Sequence, residues 1–189
     1  DYDDEEIARK LTISTSVAAM EWKKKKLNIL DTPGFNLFMY DTRTAMAAAD
    51  AALILVDGVS GVEVQTEKVW QFADEFNQPR VFFINKLDRE NSDFQRAVDS
   101  IHEFFGRYCI PVHIPIGKER DFSGIVDIIH MKAYQYTPGG DGVGQEIPIP
   151  ADLTEQANAL HSQLVEMVAE GKDDLLEEIG RMVGYDTVP

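Results

Sequence analysis

The chain has 189 residues, and its 44% hydrophobic and 10% aromatic content is typical of a globular protein and excludes a disordered, collagen-like or coiled-coil one. A single cysteine, Cys109, excludes an internal disulfide framework and favours the cytoplasm. The net charge of −15 is concentrated in residues 1–6 and 151–189, so the middle of the chain is nearly neutral. No apolar run reaches the roughly 20 residues of a membrane span, so we expect no membrane partner. Because the chain does not begin with methionine, we expect it to be a piece of a longer protein.

Between residue 13 and about residue 116, short β-branched runs alternate with helical stretches. Strands over 13–22 and 27–30, joined by a solvated turn of four lysines at 23–26, predict an antiparallel edge pair. The alternation that follows predicts a parallel sheet covered on both faces, with ligands at the carboxyl ends of its strands. We predict helices over about 36–49, 65–77 and 94–105, and strands over 52–56, 81–84 and 112–116.

The pattern changes after residue 116. Short strands over 124–129, 133–136 and 146–150 flank a glycine-rich turn, and helices follow over 152–171 and 173–179. These features predict a core over 1–116, an insert over 117–179 and an unassigned tail over 180–189.

Two loops that follow apolar strands carry chemistry. The first, Asp31-Thr32-Pro33-Gly34, places a carboxylate where it can hold metal-bound water and a glycine amide where it can approach a phosphate. By itself this loop is better explained as a tight turn before a helix capped by Asn36.

The second loop is Asn85-Lys86-Leu87-Asp88. A carboxylate at position 88 can accept two hydrogen bonds from the N1–H and exocyclic amine of guanine, a donor pair that adenine lacks, while the stem of Lys86 lies along the base. The alternative is a polar turn before the next helix, with Asn91 or Ser92 as the cap of that helix. Both loops occur in the order that a nucleotide site requires, which favours a guanine-nucleotide site.

Residues 30–34, 56–67 and 85–89 together resemble the translational GTPases, and most closely elongation factor G. Residues 115–117, 122–127 and 131–133 are similar to the start of the insert in that family. The resemblance implies an α/β fold: a three-layer G-domain sheet of the P-loop NTPase-like type with an antiparallel edge strand, plus a small α+β insert.

The resemblance also implies roles for individual residues. Asp31, Thr32, Pro33 and Gly34 match the GTP phosphate loop, and Asn85, Lys86 and Asp88 match the guanine loop. Thr12 matches a threonine that binds Mg²⁺ together with the Asp31 loop, although without the resemblance a β-branched residue that opens a strand is the preferred interpretation. Asp57 is more simply a turn residue, and we leave it out of the site.

Three features depart from the family. The chain contains no G-x-x-x-x-G-K-[ST] motif, and the strand that should precede it is absent too, so the strands at 27–30 and 52–56 should have unpaired edges. The later Ser-Ala loop is also missing. At the catalytic position after Gly34, Phe35 replaces the usual histidine, and a phenyl ring has no group that could orient the attacking water. The isolated chain is therefore expected to be inactive.

The function implied is the GTP-binding and GTP-hydrolysing domain of an elongation-factor-G-like translation factor, a GTPase with GTP/GDP and Mg²⁺ as ligands. The implied partner is the ribosome, through ribosomal RNA and the stalk protein, and not DNA. The acidic helix after residue 151 suits the stalk contact, and a solvated face is its alternative. A non-hydrolysing or slow GTP-sensing ribosome-binding paralogue, and an α/β interaction module without nucleotide, are the alternative functions.

Overall fold

The computed structural model describes residues 3–170, which form two compact α/β units. The first unit comprises the described residues up to Val56 together with Val62–Asn85. The second comprises Asp57–Gly61 and the described residues from Lys86 onward. The predicted helix over 173–179 and the tail over 180–189 lie outside the described residues. Within residues 3–170, no helix is both long enough and apolar enough to cross a bilayer.

The first unit begins with a helix that the sequence did not predict. Helix α1 (Asp4–Arg9) has three acidic side chains in its first turn, where they interact favourably with the positive end of the helix dipole. It ends at Lys10, whose φ of 53° is left-handed. The other elements of this unit are β1 (Ser16–Trp22), β2 (Lys25–Asp31), a 3₁₀ turn (Asn36–Phe38), α2 (Met39–Ala48), β3 (Ala52–Asp57), α3 (Val64–Glu75) and β4 (Arg80–Asn85).

Strands β1 and β2 form the predicted antiparallel hairpin. Their register runs from Ser16 opposite Asp31 to Trp22 opposite Lys25. The turn is therefore only Lys23 and Lys24, and the other two lysines of the predicted turn begin β2. Residues 13–15, predicted as part of the first strand, precede β1.

The strands of the first unit form two separate two-stranded sheets, β1–β2 and β3–β4. Within residues 3–170, β2 pairs only with β1 and β3 only with β4, so the strands predicted at 27–30 and 52–56 each have an unpaired edge, as expected. The prediction that the apolar strands are covered on both faces is wrong for the described chain. Strand β3 buries Ile54 and Val56 but leaves Leu53 62% exposed, because side chains alternate along a strand and only one face is covered.

The described part of the second unit combines two helices with a four-stranded sheet. Its elements are α4 (Phe94–Phe105), β5 (His113–Ile116), a 3₁₀ turn (Glu119–Asp121), β6 (Gly124–Asp127), β7 (Lys132–Gln135), β8 (Gln145–Ile147) and α5 (Thr154–Glu170). The sheet order is β5-β6-β7-β8. Its core contains Ile114, Val126, Ile128, Ala133 and, from α5, Ala157.

Strand β5 pairs differently from our prediction. We placed residues 112–116 in the parallel sheet, but β5 pairs antiparallel with β6, with His113 opposite Asp127. The connection over 117–123 is too short for a parallel crossover, which takes about a dozen residues. Gly117 makes the tight turn: its φ is 78°, and a Cβ there would lie 2.0 Å from the carbonyl oxygen of Asp121.

Candidate functional site

The Asp31–Gly34 loop leaves the end of β2 and is fastened to α2. Pro33 is fully buried, and its carbonyl oxygen accepts a 2.6 Å hydrogen bond from the Thr42 hydroxyl. Asp31 on one side and Gly34 on the other are exposed. The loop is thus held at Pro33, while the Asp31 carboxylate and the Gly34 backbone face solvent.

Gly34 is not required by the packing of the chain around it. A Cβ built at this position meets no atom within 4 Å, and its φ is not left-handed. The Asp31 carboxylate likewise has no hydrogen-bond or ion-pair partner among residues 3–170. The open space and the free carboxylate together suit a ligand that approaches the loop from outside.

Phe35 lies exposed directly after this loop. Its ring is 58% exposed, and nearby Leu37 is 86% exposed. The predicted helix over 36–49 begins instead as the 3₁₀ turn. Asn36 is not its cap, because its side-chain oxygen accepts a hydrogen bond from the Lys68 ammonium of α3.

The segment after Thr12 is held by two carboxylates that the sequence analysis missed. Glu6 of α1 is only 2% exposed and accepts backbone hydrogen bonds from Ile13 at 2.7 Å and Ser14 at 3.0 Å. Asp41 of α2 accepts both the backbone N–H of Thr15 at 2.5 Å and its hydroxyl at 2.7 Å. Charge-assisted bonds of this kind are the stronger ones in proteins, so this segment is ordered from both sides.

Helix α2 therefore fastens both loops. Asp41 holds the segment that follows Thr12, and the next residue, Thr42, holds Pro33. The structure thus joins two of the predicted site segments through consecutive residues of one helix. No sequence motif marks Asp41, since a single acid on a predicted helix is ordinarily a solvated one.

We expect Asp41→Ala to free the segment around Thr15. The two lost bonds go to a charged acceptor, each worth about 1.5–3 kcal/mol, so hydrogen exchange at the Thr15 amide should rise about tenfold or more. Asp50→Ala is the matched control, because Asp50 is exposed and without a partner in the described chain. Equal exchange rates in the two variants would contradict the role of Asp41.

The Asn85–Asp88 loop begins where β4 ends and is anchored at Lys86. The Lys86 ammonium lies 2.6 Å from Oδ2 of Asp57, and the other carboxylate oxygen, Oδ1, accepts the backbone N–H of Val59 at 2.8 Å. The Lys86 hydrogen bond, followed by that of Val59, lowers the pKa of Asp57 below its usual value. The pair therefore contributes stability at neutral pH, and that contribution disappears only as the pH falls through the lowered pKa.

Asp57 forms the predicted turn after β3, since its carboxylate accepts the backbone N–H groups of Val59 and Ser60, and it also holds Lys86 of the Asn85–Asp88 loop. It ends β3, while Lys86 follows the neighbouring β4. Because the ends of neighbouring strands meet at one sheet edge, strand adjacency is the signal that could have paired the two residues.

Asp88 lies exposed at the end of this loop. The Arg89 N–H bonds back to the Lys86 carbonyl, and the Ser92 hydroxyl donates to the Leu87 carbonyl at 2.7 Å. Neither Ser92 nor Asn91 caps the next helix, since that cap is Asp93. The Asp88 carboxylate has no partner within the described residues, so an anchored loop presents a free acceptor.

Side chains that could bind a metal ion are not clustered in the described residues. Residues 3–170 contain no cluster of three or more His, Cys, Asp or Glu side chains suited to hold a metal ion. Thr12, half-buried, and the exposed Asp31 remain the predicted oxygen ligands. A hydroxyl and a carboxylate are the hard oxygen donors that Mg²⁺ prefers, and Mg²⁺ ordinarily keeps several waters and binds substrate phosphates, so it needs few protein ligands.

The chain resembles known proteins over nearly its whole length. The family model described as the elongation factor Tu GTP binding domain matches residues 1–181. Curated relatives include elongation factor G of Mycoplasma pneumoniae, 36% identical over 94% of the chain, and elongation factor G of Granulibacter bethesdensis, 38% identical over 94%. The elongation factor G-like protein of Thermotoga maritima is 36% identical over 98%. The chain spans 26% of the length of each of these relatives.

A solved structure agrees with the sequence relatives. A crystal structure of a Thermus thermophilus protein matches all of this chain and 27% of its own, at 28% identity and a TM-score of 0.86. Together with the family match, this confirms the predicted α/β G-domain fold class.

Proposed function

The chain belongs to the elongation factor Tu GTP-binding domain family, and from that membership we propose that it is the GTP-binding and GTP-hydrolysing domain of an elongation-factor-G-like translation factor that acts on the ribosome in the cytoplasm. Guanine-nucleotide binding is implied by the family itself. One observation carries the assignment: Asp31 and Asp88 each stand in an anchored loop, yet neither carboxylate has a partner among residues 3–170.

In this proposal Asp88 reads the base. Its carboxylate accepts the N1–H and the exocyclic amine of guanine, whereas adenine leaves it unpaired. Lys86, held by Asp57, lays its stem along the base, and Asn85 ties the neighbouring loops together. An anchored loop suits this task, because the acceptor does not have to be ordered when the nucleotide binds.

The phosphate end is assigned to the other loop. The Gly34 amide meets a phosphate oxygen in the open space beside it, with Thr32 and buried Pro33 fixing the backbone. Asp31 and Thr12 hold Mg²⁺, directly or through water, and bound Mg²⁺ compensates charge on the phosphates. Helix α2 keeps the two segments in register through Asp41 and Thr42.

The domain boundaries follow the same proposal. Residues 1–116 are assigned to the nucleotide-binding core and 117–179 to the insert, with 180–189 unassigned. The ribosomal partners are ribosomal RNA and the stalk protein, the latter through the polar face of α5. Three exposed acids support that face as a docking surface: Glu155, Glu166 and Glu170.

The non-hydrolysing sensor gains no support from the family match or from the relatives. We therefore assign hydrolysis to the full-length protein, at a rate that Phe35 limits. A nucleotide-free interaction module would leave the two free carboxylates of Asp31 and Asp88 without a role.

Phosphate release tests the proposal. The full-length protein is mixed with [γ-³²P]GTP and Mg²⁺, with and without purified ribosomes. We expect hydrolysis that ribosomes stimulate and that a chelator of Mg²⁺ abolishes. GTP that remains intact after prolonged incubation with ribosomes would contradict the proposed activity.

A further inference from the structure

The tip of the β1–β2 hairpin concentrates unpaired positive charge. Four consecutive lysines, 23–26, lie there, and all four are exposed. None of their ammonium groups has an ion-pair or hydrogen-bond partner within the part of the chain that the structure describes. In a chain with 18 basic and 33 acidic residues, such a run is the opposite of the overall charge. The tip is therefore a positively charged patch on an acidic protein.

The turn itself favours a role for these side chains. Lys23 and Lys24 have φ values of 47° and 64°, the left-handed region in which a side chain is unfavourable. A two-residue hairpin turn of this geometry is normally Asn-Gly, which reverses the chain without that cost. Lysine at both positions is unfavourable for the turn, which suggests that the positive charge has a binding role.

An exposed aromatic ring stands beside the charge. Trp22 is 62% exposed and lies opposite Lys25 in the hairpin register. A cationic groove or ribbon that carries an exposed aromatic ring is the combination with which proteins hold single-stranded nucleic acid, since ammonium groups meet phosphates and the ring stacks on a base. Anionic membranes and acidic peptides present phosphates or carboxylates but no base for Trp22.

The tip is also remote from the candidate nucleotide loops. Strand β2 runs from Lys25 to Asp31, six residue steps of about 3.4 Å, so the tip stands about 20 Å from Asp31. Charges at that distance are separated by roughly two and a half Debye lengths at physiological salt. A contact made at the tip should therefore change docking and leave nucleotide affinity unchanged.

We propose that residues 22–26 form an RNA-binding surface, in which the lysines contact the phosphate backbone and Trp22 stacks on an unpaired base. The inference rests on the proposed function in one respect, since it takes ribosomal RNA as the target in the cell. Its chemistry is independent of nucleotide binding. Recognition through ammonium groups and one stacked ring selects unpaired, phosphate-rich RNA and not a base sequence.

The experiment compares two variants of the full-length protein with the parent. Lys23→Asn with Lys24→Gly removes two charges while giving the turn its preferred residues, so folding is not at risk. Lys10→Gln with Lys118→Gln is the matched control, because both lysines are exposed and unpaired in the described chain. The probe is a fluorescein-labelled RNA stem-loop with an unpaired loop, titrated by anisotropy at a low and a moderate KCl concentration, about 50 and about 200 mM.

We expect the turn variant to bind the stem-loop about tenfold more weakly at the lower KCl concentration. The slope of log K against log [KCl] should become shallower by about 1.4–1.8, since each phosphate contact contributes about 0.7–0.9. GTP affinity should stay within twofold, and the control should match the parent. A Trp22→Leu variant should lose affinity for the stem-loop but not for fully paired RNA.

Two results would overturn the inference. One is an unchanged slope and affinity in the turn variant, and the other is binding to phosphatidylserine vesicles without binding to RNA. Neither result affects the proposed GTPase, which is measured separately by phosphate release. Conversely, RNA binding that depends on the tip in a protein that does not hydrolyse GTP would overturn the proposed function alone.

Discussion

Replacing Asp88 by asparagine is expected to weaken GTP binding to the full-length protein by about a hundredfold or more and to favour xanthosine triphosphate. The carboxylate accepts two hydrogen bonds from guanine, and bonds to a charged group contribute about 1.5–3 kcal/mol each. The asparagine amide instead presents a donor, which opposes the guanine amine but suits the carbonyl of xanthine. Titration calorimetry with both nucleotides measures the exchange of preference.

Glu90→Gln is the control for that substitution. Glu90 is exposed, lies two residues from Asp88, and its carboxylate has no partner in residues 3–170. The control substitution therefore removes the same charge from the same region. Its GTP affinity should stay within twofold of the parent. If Asp88→Asn leaves the ratio of guanine to xanthine affinity unchanged, Asp88 does not read the base.

Replacing Phe35 by histidine is expected to raise ribosome-stimulated GTP turnover at least tenfold. Hydrolysis needs a water held in line with the γ-phosphate, and the exposed phenyl ring after Gly34 can neither donate nor accept a hydrogen bond. One such transition-state group is worth about 10²–10³ in rate, or roughly 2.7–4 kcal/mol. GTP affinity should change no more than a few-fold, because the side chain acts on the water and not on the nucleotide.

Leu37→His is the matched control for Phe35. It introduces the same imidazole two residues later, at a side chain that is even more exposed. Single-turnover rates on ribosomes distinguish the two positions. A parent protein that already turns over rapidly, with no gain from Phe35→His, would show that another group positions the water.

The sequence predicted those helices and strands whose own residues show a clear apolar pattern. Helix α4 was predicted over 94–105 and is Phe94–Phe105, because its buried Ala97, Val98 and Ile101 follow helical spacing after the Asp93 cap. Strand β3 was predicted over 52–56 and is Ala52–Asp57, one residue longer. Helix α1 was missed because its acidic run reads as solvated chain, and only burial of Glu6 reveals its role.

Features that depend on distant partners were not predictable in this way. The antiparallel pairing of β5 with β6 is an exception, because the strands predicted at 112–116 and 124–129 already leave too short a connection for a parallel crossover. In the candidate site, the motifs located both loops but not their anchors. Asp41 lies 26 residues from Thr15, and Asp57 lies 29 residues from Lys86. Such contacts arise from the fold and leave no local spacing in the sequence.

The central claim is that this domain selects guanine nucleotides, and equilibrium binding of GTP, GDP and ATP to the full-length protein in Mg²⁺ buffer tests it most directly. A site that hydrogen-bonds the guanine donors should reject adenine by on the order of 10⁴-fold. We therefore predict tight GTP and GDP binding, with ATP binding too weak to measure under the same conditions. Comparable affinities for GTP and ATP would contradict the account.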